Sequence, residues 1–336
     1  EHEVSKASAV NVINNMDAAK YNIIPIYISP KGRWLLYDGG LDNIKNIDWE
    51  RFGTETIISP DKTHKGLLRL TEGKYKTIPI DVVFPVLHGK NGEDGTVQGL
   101  LELAGLPCVG CSVSSSAVSM DKALTKIMVK HLGINQAKYL VFNENEMDIN
   151  SLCKDVRYKI GYPCFIKPAN AGSSVGISKA SNKRELVSAI LCAFEFDSKI
   201  IVEKAIVGRE IECAILGDGY EDTIITLPGE IIPGDEFYDF DAKYNNEDSK
   251  VIIPADIDGC AEKEIMEKAL VIFKALGCSG LSRVDFFLEE KTNKVIFNEI
   301  NTIPGFTDIS MYSMLLNNMG VKTSKLIDKL IEIALK

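Results

Sequence analysis

Long hydrophobic runs are missing from this sequence. The longest apolar stretches, such as Val82 to Leu87, are far shorter than the roughly 20 residues a helix needs to cross a bilayer. No signal-peptide pattern opens the chain, and its 8 cysteines are spread over 336 residues rather than packed as in a disulfide scaffold. These absences argue against a membrane protein or a small secreted module, and they predict a cytoplasmic address.

Positive charge is also scarce. Lys and Arg total 38 against 47 for Asp and Glu, so the formal net charge is −9. Nucleic acids and anionic membranes attract basic surfaces, so we expect neither as a partner. Any phosphate site must therefore be basic locally. The length is that of two or three domains, and the 45% hydrophobic and 25% charged residues are typical of a folded globular protein.

Two common nucleotide-binding fingerprints are absent as well. The sequence has no GxxxxGK[ST] phosphate loop and no GxGxxG between a strand and a helix. Its one CxxC pair, Cys108 and Cys111, has no second pair or paired histidines nearby to complete a zinc site. We interpret both as buried structural thiols.

Helix and strand patterns alternate in the first hundred residues. Helices are predicted over Val4–Met16 and Thr96–Ala104, with strands over Asn22–Ile28 and Asp81–Leu87. This alternation favours a parallel α/β layer. From Cys111 to about Ile206 the pattern changes to a small α+β domain with antiparallel pairing, and a second α+β region follows.

The elements predicted after Cys111 are separated at one place by a long stretch without predicted secondary structure. The helices are Asp121–Leu132, Lys183–Glu195, Ala261–Leu276 and one from Ser324, and the strands are Pro163–Pro168, one from Ile177, Lys199–Lys204, Glu210–Leu216, one near Thr223, Lys250–Pro254, Leu281–Leu288 and Val295–Asn301. This stretch, Pro233 to Lys250, carries four aromatic residues. Loops of this length are usually functional lids; a distorted hairpin covering the core is the alternative.

Two predicted strands present polar side chains on a shared face. Side chains two apart on a strand point the same way, which pairs Arg283 with Asp285 and Glu299 with Asn301. The polar turn Glu289 to Lys294 makes these strands neighbours. Oxygen ligands beside a cation suit Mg²⁺ bridging phosphates, so the four residues predict such a site, with a solvated strand end as the alternative.

Three loops are weaker candidates. The small-residue loop Lys167 to Gly176 can cradle phosphate with its N–H groups, or be a plain hairpin turn. His88 follows a predicted strand, where ligands of parallel sheets bind, or it serves only as a structural hydrogen-bonder. The turn Asn301 to Phe306 can place the Gly305 N–H beside an oxyanion, or be a tight turn and nothing more.

Eight motifs in order along the chain resemble one known family. They are EHEVS (1 to 5), HGKNGEDG (88 to 95), MDK (120 to 122), KPANAGSSVGIS (167 to 178), VEKAIVGRE (202 to 210), EFYDFDAKY (236 to 244), SRVDFF (282 to 287) and NEINTIPGFT (298 to 307). Over nearly its whole length the chain resembles the D-alanine:D-alanine ligases of the ATP-grasp superfamily. This implies a three-domain ATP-grasp fold: an N-terminal parallel α/β domain (1–109) and two α+β domains (110–206 and 207–336) that sandwich ATP under a lid, 233–250.

The resemblance also implies a nucleotide and metal site. The residues it assigns are Lys122, Lys167, Ser173 and Ser174 at the phosphates, Glu203, the Lys204 and Ile206 backbones and Phe237 at the adenine, Glu210 at the ribose, Lys243 for charge neutralisation, and Asp285, Glu299 and Asn301 for two Mg²⁺ or Mn²⁺ ions. The metal set agrees with the strand-face argument.

In this family, ATP phosphorylates one D-alanine, and the amine of a second attacks the acyl phosphate to give D-alanyl-D-alanine. The implied substrate residues are Glu1 with Ser173 and Tyr244 at the first ammonium, His88 beside them, Arg283 and the Gly305 N–H at the oxyanion, and Ser310 with the Met311 backbone at the second carboxylate. The family further implies peptidoglycan precursor synthesis and a homodimer.

The chain departs from the family at two places. A first strand and a glycine-rich turn usually precede EHEVS, so we expect this segment to be missing before Glu1. Asp308 stands where a small Ser is common and adds negative charge near the second carboxylate site.

Rival functions share most of these motifs. Tyr244 in EFYDFDAKY indicates a dipeptide-forming enzyme, because lactate-using relatives replace this segment and place a His there. A D-alanine:D-serine ligase needs only one more polar partner and stays as the alternative. A non-catalytic ATP-binding module is the remote alternative, and a lost metal ligand would favour it, but Asp285, Glu299 and Asn301 are all present.

Overall fold

The computed structural model describes residues 1–39, 41, 44, 47–146, 148–232, 250–307 and 309–336. Four residues singled out above, Phe237, Lys243, Tyr244 and Asp308, lie outside the described residues, as does the predicted lid apart from Lys250. Within these ranges no helix is long and apolar enough to span a membrane.

A five-stranded sheet lies in the N-terminal part of the chain. Its strands pair in chain order and are β1 (Ile26–Ile28), β2 (Trp34–Leu36), β3 (Thr54–Ile58), β4 (Gly66–Thr71) and β5 (Lys74–Pro79). The helices of this part are α1 (His2–Asn15), α2 (Trp49–Phe52) and α3 (Thr96–Ala104). Buried Leu36, Leu67 and Leu101 join the sheet and α3 in one hydrophobic cluster.

The pairing of these strands corrects the expectation of a parallel layer. All four pairings from β1 to β5 are antiparallel. The segment Asp81–Leu87 is not a strand, and only Val83 pairs, through an isolated parallel bridge to Cys108. Short connections such as the two residues between β4 and β5 join antiparallel neighbours, whereas a parallel pair needs a crossover of about a dozen residues or more.

The central sheet is antiparallel, as predicted. Its strands are β6 (Tyr139–Asn143), β7 (Cys164–Pro168), β8 (Ser178–Ala180) and β9 (Lys199–Lys204), in the order β6-β9-β7-β8. The helices of this part are α4 (Val113–Met120), α5 (Lys122–His131), α6 (Ile149–Lys159) and α7 (Lys183–Phe194), with a short 3-10 turn over Glu144–Glu146. Fully buried Ile166, Ile190 and Val202 bind the sheet to α6 and α7 in one core.

The largest sheet lies in the C-terminal part. Its strands are β10 (Gly208–Gly217), β11 (Ile224–Ile225), β12 (Gly229–Ile232), β13 (Lys250–Ile252), β14 (Gly280–Glu289) and β15 (Val295–Asn301), in the order β13-β12-β10-β14-β15 with β11 beside β10. The helices are α8 (Gly259–Ala275), α9 (Met311–Asn318) and α10 (Thr323–Ala334). Val284, Phe286 and Leu288 alternate into the core with Phe273 of α8, which leaves the other face of β14 for polar side chains.

Asp258 caps the N-terminus of α8. Its carboxylate accepts hydrogen bonds from the N–H groups of Cys260 and Ala261 at 2.9 and 3.0 Å. We expect Asp258→Ala to lower the free energy of unfolding by about 1 kcal/mol, because two helix N–H groups lose their acceptor. Urea denaturation measures the change, with Asp258→Ser as the control that keeps a capping oxygen. An alanine variant as stable as the wild type would contradict the cap.

Candidate active site

A cleft of about 130 Å³ is lined by residues from all three parts of the chain. His88 and Glu93 come from the N-terminal part, residues such as Lys122 and Gly172 come from the central part, and most of the wall comes from the C-terminal part. Of the predicted site residues, the cleft is lined by His88, Lys122, Ser173, Arg283, Glu299, Asn301, Gly305, Ser310 and Met311. Side chains more than 200 positions apart in the sequence therefore share one pocket.

The polar faces of β14 and β15 meet at this cleft. In the antiparallel register Arg283 lies opposite Asn301, and Asp285 lies opposite Glu299. Asp285 Oδ2 accepts a hydrogen bond from Asn301 Nδ2 at 2.9 Å and one from Arg283 Nη2 at 2.7 Å. Asp285, Glu299 and Asn301 therefore converge at one place, as the strand-face argument requires.

A further carboxylate, Glu212, joins this corner from β10. Glu212 lies opposite Asp285 in the register of β10 and β14, and its Oε2 is 2.8 Å from Arg283 Nε. Burial alone would lower the pKa of Arg283, but Asp285 and Glu212 outweigh it and hold that pKa well above its usual value. Glu212 was not predicted, although it follows Glu210 by two positions and so shares its strand face.

This corner suits a hard divalent cation. A small cavity of about 30 Å³ is lined by the carboxylate-bearing residues Glu210, Glu212, Asp285 and Glu299. In the described ranges there is no group of three or more His, Cys, Asp or Glu side chains that could hold a metal ion. Mg²⁺ fits such a partial set, because it takes one or two protein carboxylates and completes its shell with water and substrate phosphate.

Glu203 is enclosed by two lysines beside the cleft. Its Oε1 is 2.6 Å from Lys126 Nζ and its Oε2 is 2.7 Å from Lys167 Nζ. Burial would raise the pKa of Glu203, but the two ammonium groups lower it to about 2. Burial lowers the pKa of Lys126. Burial would also lower the pKa of Lys167, but the negative charges of Glu203 and Glu299 outweigh this effect and raise that pKa. Glu203 is thus an ionised carboxylate already held by two cations.

Lys122 links the β7–β8 loop to the carboxylate corner. Its Nζ donates to Ala171 O at 2.6 Å and lies 3.7 Å from Glu299 Oε2. The loop itself turns through left-handed conformations at Ser173 (φ +49°) and Ser174 (φ +60°). Strands β7 and β8 do form a hairpin, but this long loop reaches the cleft rather than closing as a tight turn.

The Glu1 carboxylate lies close to two glycines, Gly89 and Gly172. A Cβ added to Gly89 would lie 1.8 Å from Glu1 Oε2, and one added to Gly172 would lie 3.0 Å from Glu1 Oε1. Gly89 also has φ +77°, a conformation that favours glycine. Glu1 Oε1 is buried and has no hydrogen-bond partner among the described residues. An unpaired buried acceptor is costly, so this oxygen suits a donor supplied by a ligand.

His88 joins the N-terminal part to the loop after β15. Its Nδ1 donates to Ile303 O at 3.1 Å, because a carbonyl can only accept, and its Nε2 lies 3.0 Å from Ser8 Oγ. Ser8 Oγ in turn accepts from Phe306 N–H at 3.3 Å. Both ring nitrogens are thus engaged, which supports the structural alternative for His88 even though the residue lines the cleft.

The turn after β15 leads into the N-terminus of α9. A Cβ added to Gly305 would lie 2.7 Å from Ser310 Oγ, so the two residues are in close contact. Ser310 Oγ accepts from Thr307 N–H at 3.0 Å and makes no side-chain cap to α9. The first N–H groups of the helix, from Met311, therefore keep their capacity to bind an anion such as a carboxylate.

Sequence profiles of one family cover most of the chain. The profile described as "D-ala D-ala ligase N-terminus" matches residues 1–111, and that described as "D-ala D-ala ligase C-terminus" matches residues 128–332. The chain belongs to the D-alanine–D-alanine ligase family. The resemblance predicted from the eight motifs is confirmed.

Individual relatives support the same assignment over the full length of this ligase. D-alanine–D-alanine ligases of Caldicellulosiruptor bescii and Acetivibrio thermocellus are 50% and 48% identical over 100% of this chain and 92% and 93% of their own. The crystal structure of VanG D-Ala:D-Ser ligase from Enterococcus faecalis is 43% identical, with a TM-score of 0.89 over 99% of this chain and 95% of that one. The D-alanine-D-alanine ligase from Coxiella burnetii is 36% identical, with a TM-score of 0.85 over 100% and 90%.

These neighbours confirm the ATP-grasp fold. Lys204 and Ile206, which the resemblance assigns to the adenine, are not among the residues that line the cleft. The Lys204 N–H of this ligase already donates to Lys138 O at 2.8 Å, and Lys204 Nζ donates to Tyr162 O at 2.8 Å. A contact from Lys204 to a nucleotide must therefore come from another of its groups. Ile206 follows on the half-buried connection to β10.

The cysteines of the ligase are free thiols. Cys111 is buried and its Sγ donates to Ser279 O at 3.5 Å, while Cys108 is partly buried. Burial raises the pKa of Cys108 to about 12, which keeps it protonated and unreactive. Cys111 therefore fits the interpretation as a buried structural thiol, whereas Cys108 is only partly buried.

Proposed function

We propose that this ligase joins two D-alanine molecules into D-alanyl-D-alanine at the expense of ATP, through a D-alanyl phosphate. The observation that carries the proposal is the convergence of Asp285, Glu299, Asn301 and Arg283, with Lys122 close by, in a cleft that all three parts of the chain build. Phosphoryl transfer depends on positioning and charge neutralisation, and this corner combines oxygen ligands with fixed cations.

The metal ions bind at the carboxylate corner, and the phosphates of the nucleotide contact the neighbouring lysines. Asp285, Glu299 and Asn301 hold two Mg²⁺ or Mn²⁺ ions, and Glu210 takes the ribose. When bound, these ions neutralise the charge of the phosphates during transfer. The remaining nucleotide contacts are Lys122, Lys167, Ser173, Ser174 and Lys243 at the phosphates, and Glu203, Lys204, Ile206 and Phe237 at the adenine.

The first D-alanine lies between the Glu1 carboxylate and the oxyanion donors. Glu1 Oε1, buried without a partner among the described residues, accepts from the substrate ammonium. Ser173 and Tyr244 complete a hydrogen-bonded set around the ammonium, and His88 lines the same cleft. Arg283 and the Gly305 N–H stabilise the tetrahedral oxyanion, which is the role that preorganised donors serve in acyl transfer.

The second D-alanine is held by its carboxylate. Ser310 and the N–H of Met311 at the start of α9 bind this group, supported by the positive end of the helix. The amine of the second D-alanine then attacks the carbonyl carbon of the D-alanyl phosphate; the amide C–N bond forms, the C–O bond to the phosphate breaks, and inorganic phosphate and a proton leave. The lid, 233–250, keeps water away from that labile intermediate.

The wider setting follows the family. We propose domains at 1–109, 110–206 and 207–336, a homodimer, and a cytoplasmic enzyme that supplies peptidoglycan precursors. D-serine as the second substrate is the alternative, supported by the TM-score of 0.89 to the D-Ala:D-Ser ligase of Enterococcus faecalis. The D-alanine–D-alanine ligases at 50% and 48% identity keep D-alanine as the main proposal.

Substrate competition tests the proposal. With ATP, Mg²⁺ and D-alanine alone, we expect phosphate release and D-alanyl-D-alanine as the product identified by chromatography. Equal concentrations of D-alanine, D-serine and D-lactate should still give the alanine dipeptide as the main product. Turnover that depends on added D-serine would replace the alanine assignment by the serine one, and no ATP consumption with any acceptor would overturn the ligase proposal.

A further inference from the structure

Lys126 is a buried cation to which the proposed function gives no task. The side chain is 3% exposed, and its Nζ is 2.6 Å from Glu203 Oε1. The ammonium also lies 5.6 Å from the ring centroid of Tyr139 and 6.0 Å from that of Phe297, within reach of cation–π attraction. Burying a lysine this completely is rare unless it is paired, and Glu203 is the partner of Lys126 here.

Glu203 has one more cation than its charge requires. Lys167 Nζ lies 2.7 Å from the second carboxylate oxygen of Glu203 and faces Glu299 as well. Lys167 also sits on β7, at the start of the loop that lines the cleft. A triphosphate arriving there competes with Glu203 for Lys167, because phosphate oxygens attract the same ammonium.

We propose that Lys126 is a positioning residue that holds Glu203 in place while Lys167 leaves it for the phosphates of the nucleotide. The inference rests on the proposed function, since it takes Lys167 as a phosphate ligand and Glu203 as an adenine ligand. With Lys126 present, Glu203 keeps one cation after Lys167 moves. Without Lys126, the same movement leaves a buried carboxylate unpaired, which is strongly unfavourable, so Lys167 stays and the phosphates lose a partner.

This division of roles predicts a variant that folds but binds nucleotide poorly. In Lys126→Met the unliganded protein keeps the Glu203–Lys167 pair, so its charges remain balanced. Removing one partner of a buried ion pair is costly when it leaves the other charge unpaired, but here Glu203 keeps Lys167 at 2.7 Å, so we expect little loss of stability. A residue with only a structural role would instead lower stability and weaken every ligand of the pocket together.

The experiment compares ADP with adenosine on the full-length protein. In isothermal titration with Mg²⁺ present, we expect Lys126→Met to weaken ADP binding by about tenfold or more, since binding must now strand a buried charge. Adenosine carries no phosphate to draw Lys167 away, so its affinity should change by less than about twofold. Thermal unfolding of the unliganded variant should stay close to that of the wild type.

A matched control and a second variant make the outcome decisive. Lys268→Met removes another partly buried lysine, paired with Glu264 on α8 away from the cleft, and should leave both affinities unchanged. If Lys126→Met does not fold, Lys126→Gln keeps a donor to Glu203 without the charge, and the same selective loss of ADP binding is expected. Equal weakening of ADP and adenosine, or no weakening, overturns the inference. A wild type that binds no ADP overturns the proposed function instead.

Discussion

The variant Asp285→Asn should lose about a thousandfold in kcat, because the carboxylate that we propose as a metal ligand would contribute several kcal/mol to a phosphoryl-transfer transition state. Asn has nearly the same size, so the packing of β14 is kept. The substitution removes the negative charge of Asp285. This carboxylate accepts hydrogen bonds from Arg283 and Asn301 and lies opposite Glu212 of β10. We expect the Mg²⁺ concentration for half-maximal activity to rise as well.

Phosphate release with D-alanine and ATP measures this loss. Glu290→Gln is the matched control, because Glu290 is an exposed carboxylate that lies directly after β14, and it should retain wild-type activity. Circular dichroism and thermal unfolding show whether Asp285→Asn is folded. Full activity in a folded Asp285→Asn protein would remove Asp285 from the metal site.

Replacing Arg283, which we propose as an oxyanion donor, by lysine should lower kcat by about a hundredfold or more, the usual effect of deleting such a donor. Arg283 holds Asp285 through Nε and Nη2 and also reaches Glu212. A lysine ammonium lacks this planar fork, so it cannot satisfy both carboxylates and still donate to a substrate oxyanion. The KM for ATP should change less than kcat, because the lost interaction belongs to the transition state.

Arg209→Lys provides the comparison for this variant. Arg209 makes the same kind of two-pronged contact, with Nε and Nη2 each 2.6 Å from the Glu230 carboxylate. Arg209 has no assigned part in the chemistry, so its replacement should affect stability more than kcat. Equal losses of kcat in the two variants would mean that Arg283 acts by stabilising the sheet rather than the oxyanion.

Local sequence rules predicted the elements that carry the chemistry. The strand at Val295–Asn301 and the helix at Thr96–Ala104 have the predicted bounds, and β9 runs from Lys199 to Lys204 as expected. The two-residue period of a strand sufficed to place Asp285 and Glu299 near each other, because β14 and β15 are joined by a short turn. Neighbouring strands are the simplest case for sequence-based reasoning.

Contacts between distant elements were beyond such rules. Lys126 lies one turn after Lys122 on α5 and so shares its face, yet only the docking of α5 against β9 shows that this face meets Glu203. Glu212 likewise gains its place from the pairing of β10 with β14. The predicted parallel layer is wrong because it leaves out the short strands β2 to β5, between residues 34 and 79. Without these strands, helices and strands alternate along the first hundred residues, as they do in a parallel α/β layer.

The junction between the N-terminal part and the loop after β15 relies on main-chain acceptors. His88 donates to the carbonyl of Ile303, and Asn11 donates to the carbonyl of Phe306. Every amino acid offers that same carbonyl, so mutations of the loop side chains leave the acceptors intact. Substitutions in this loop can therefore change the wall of the cleft without removing the two hydrogen bonds that hold the loop to the N-terminal part.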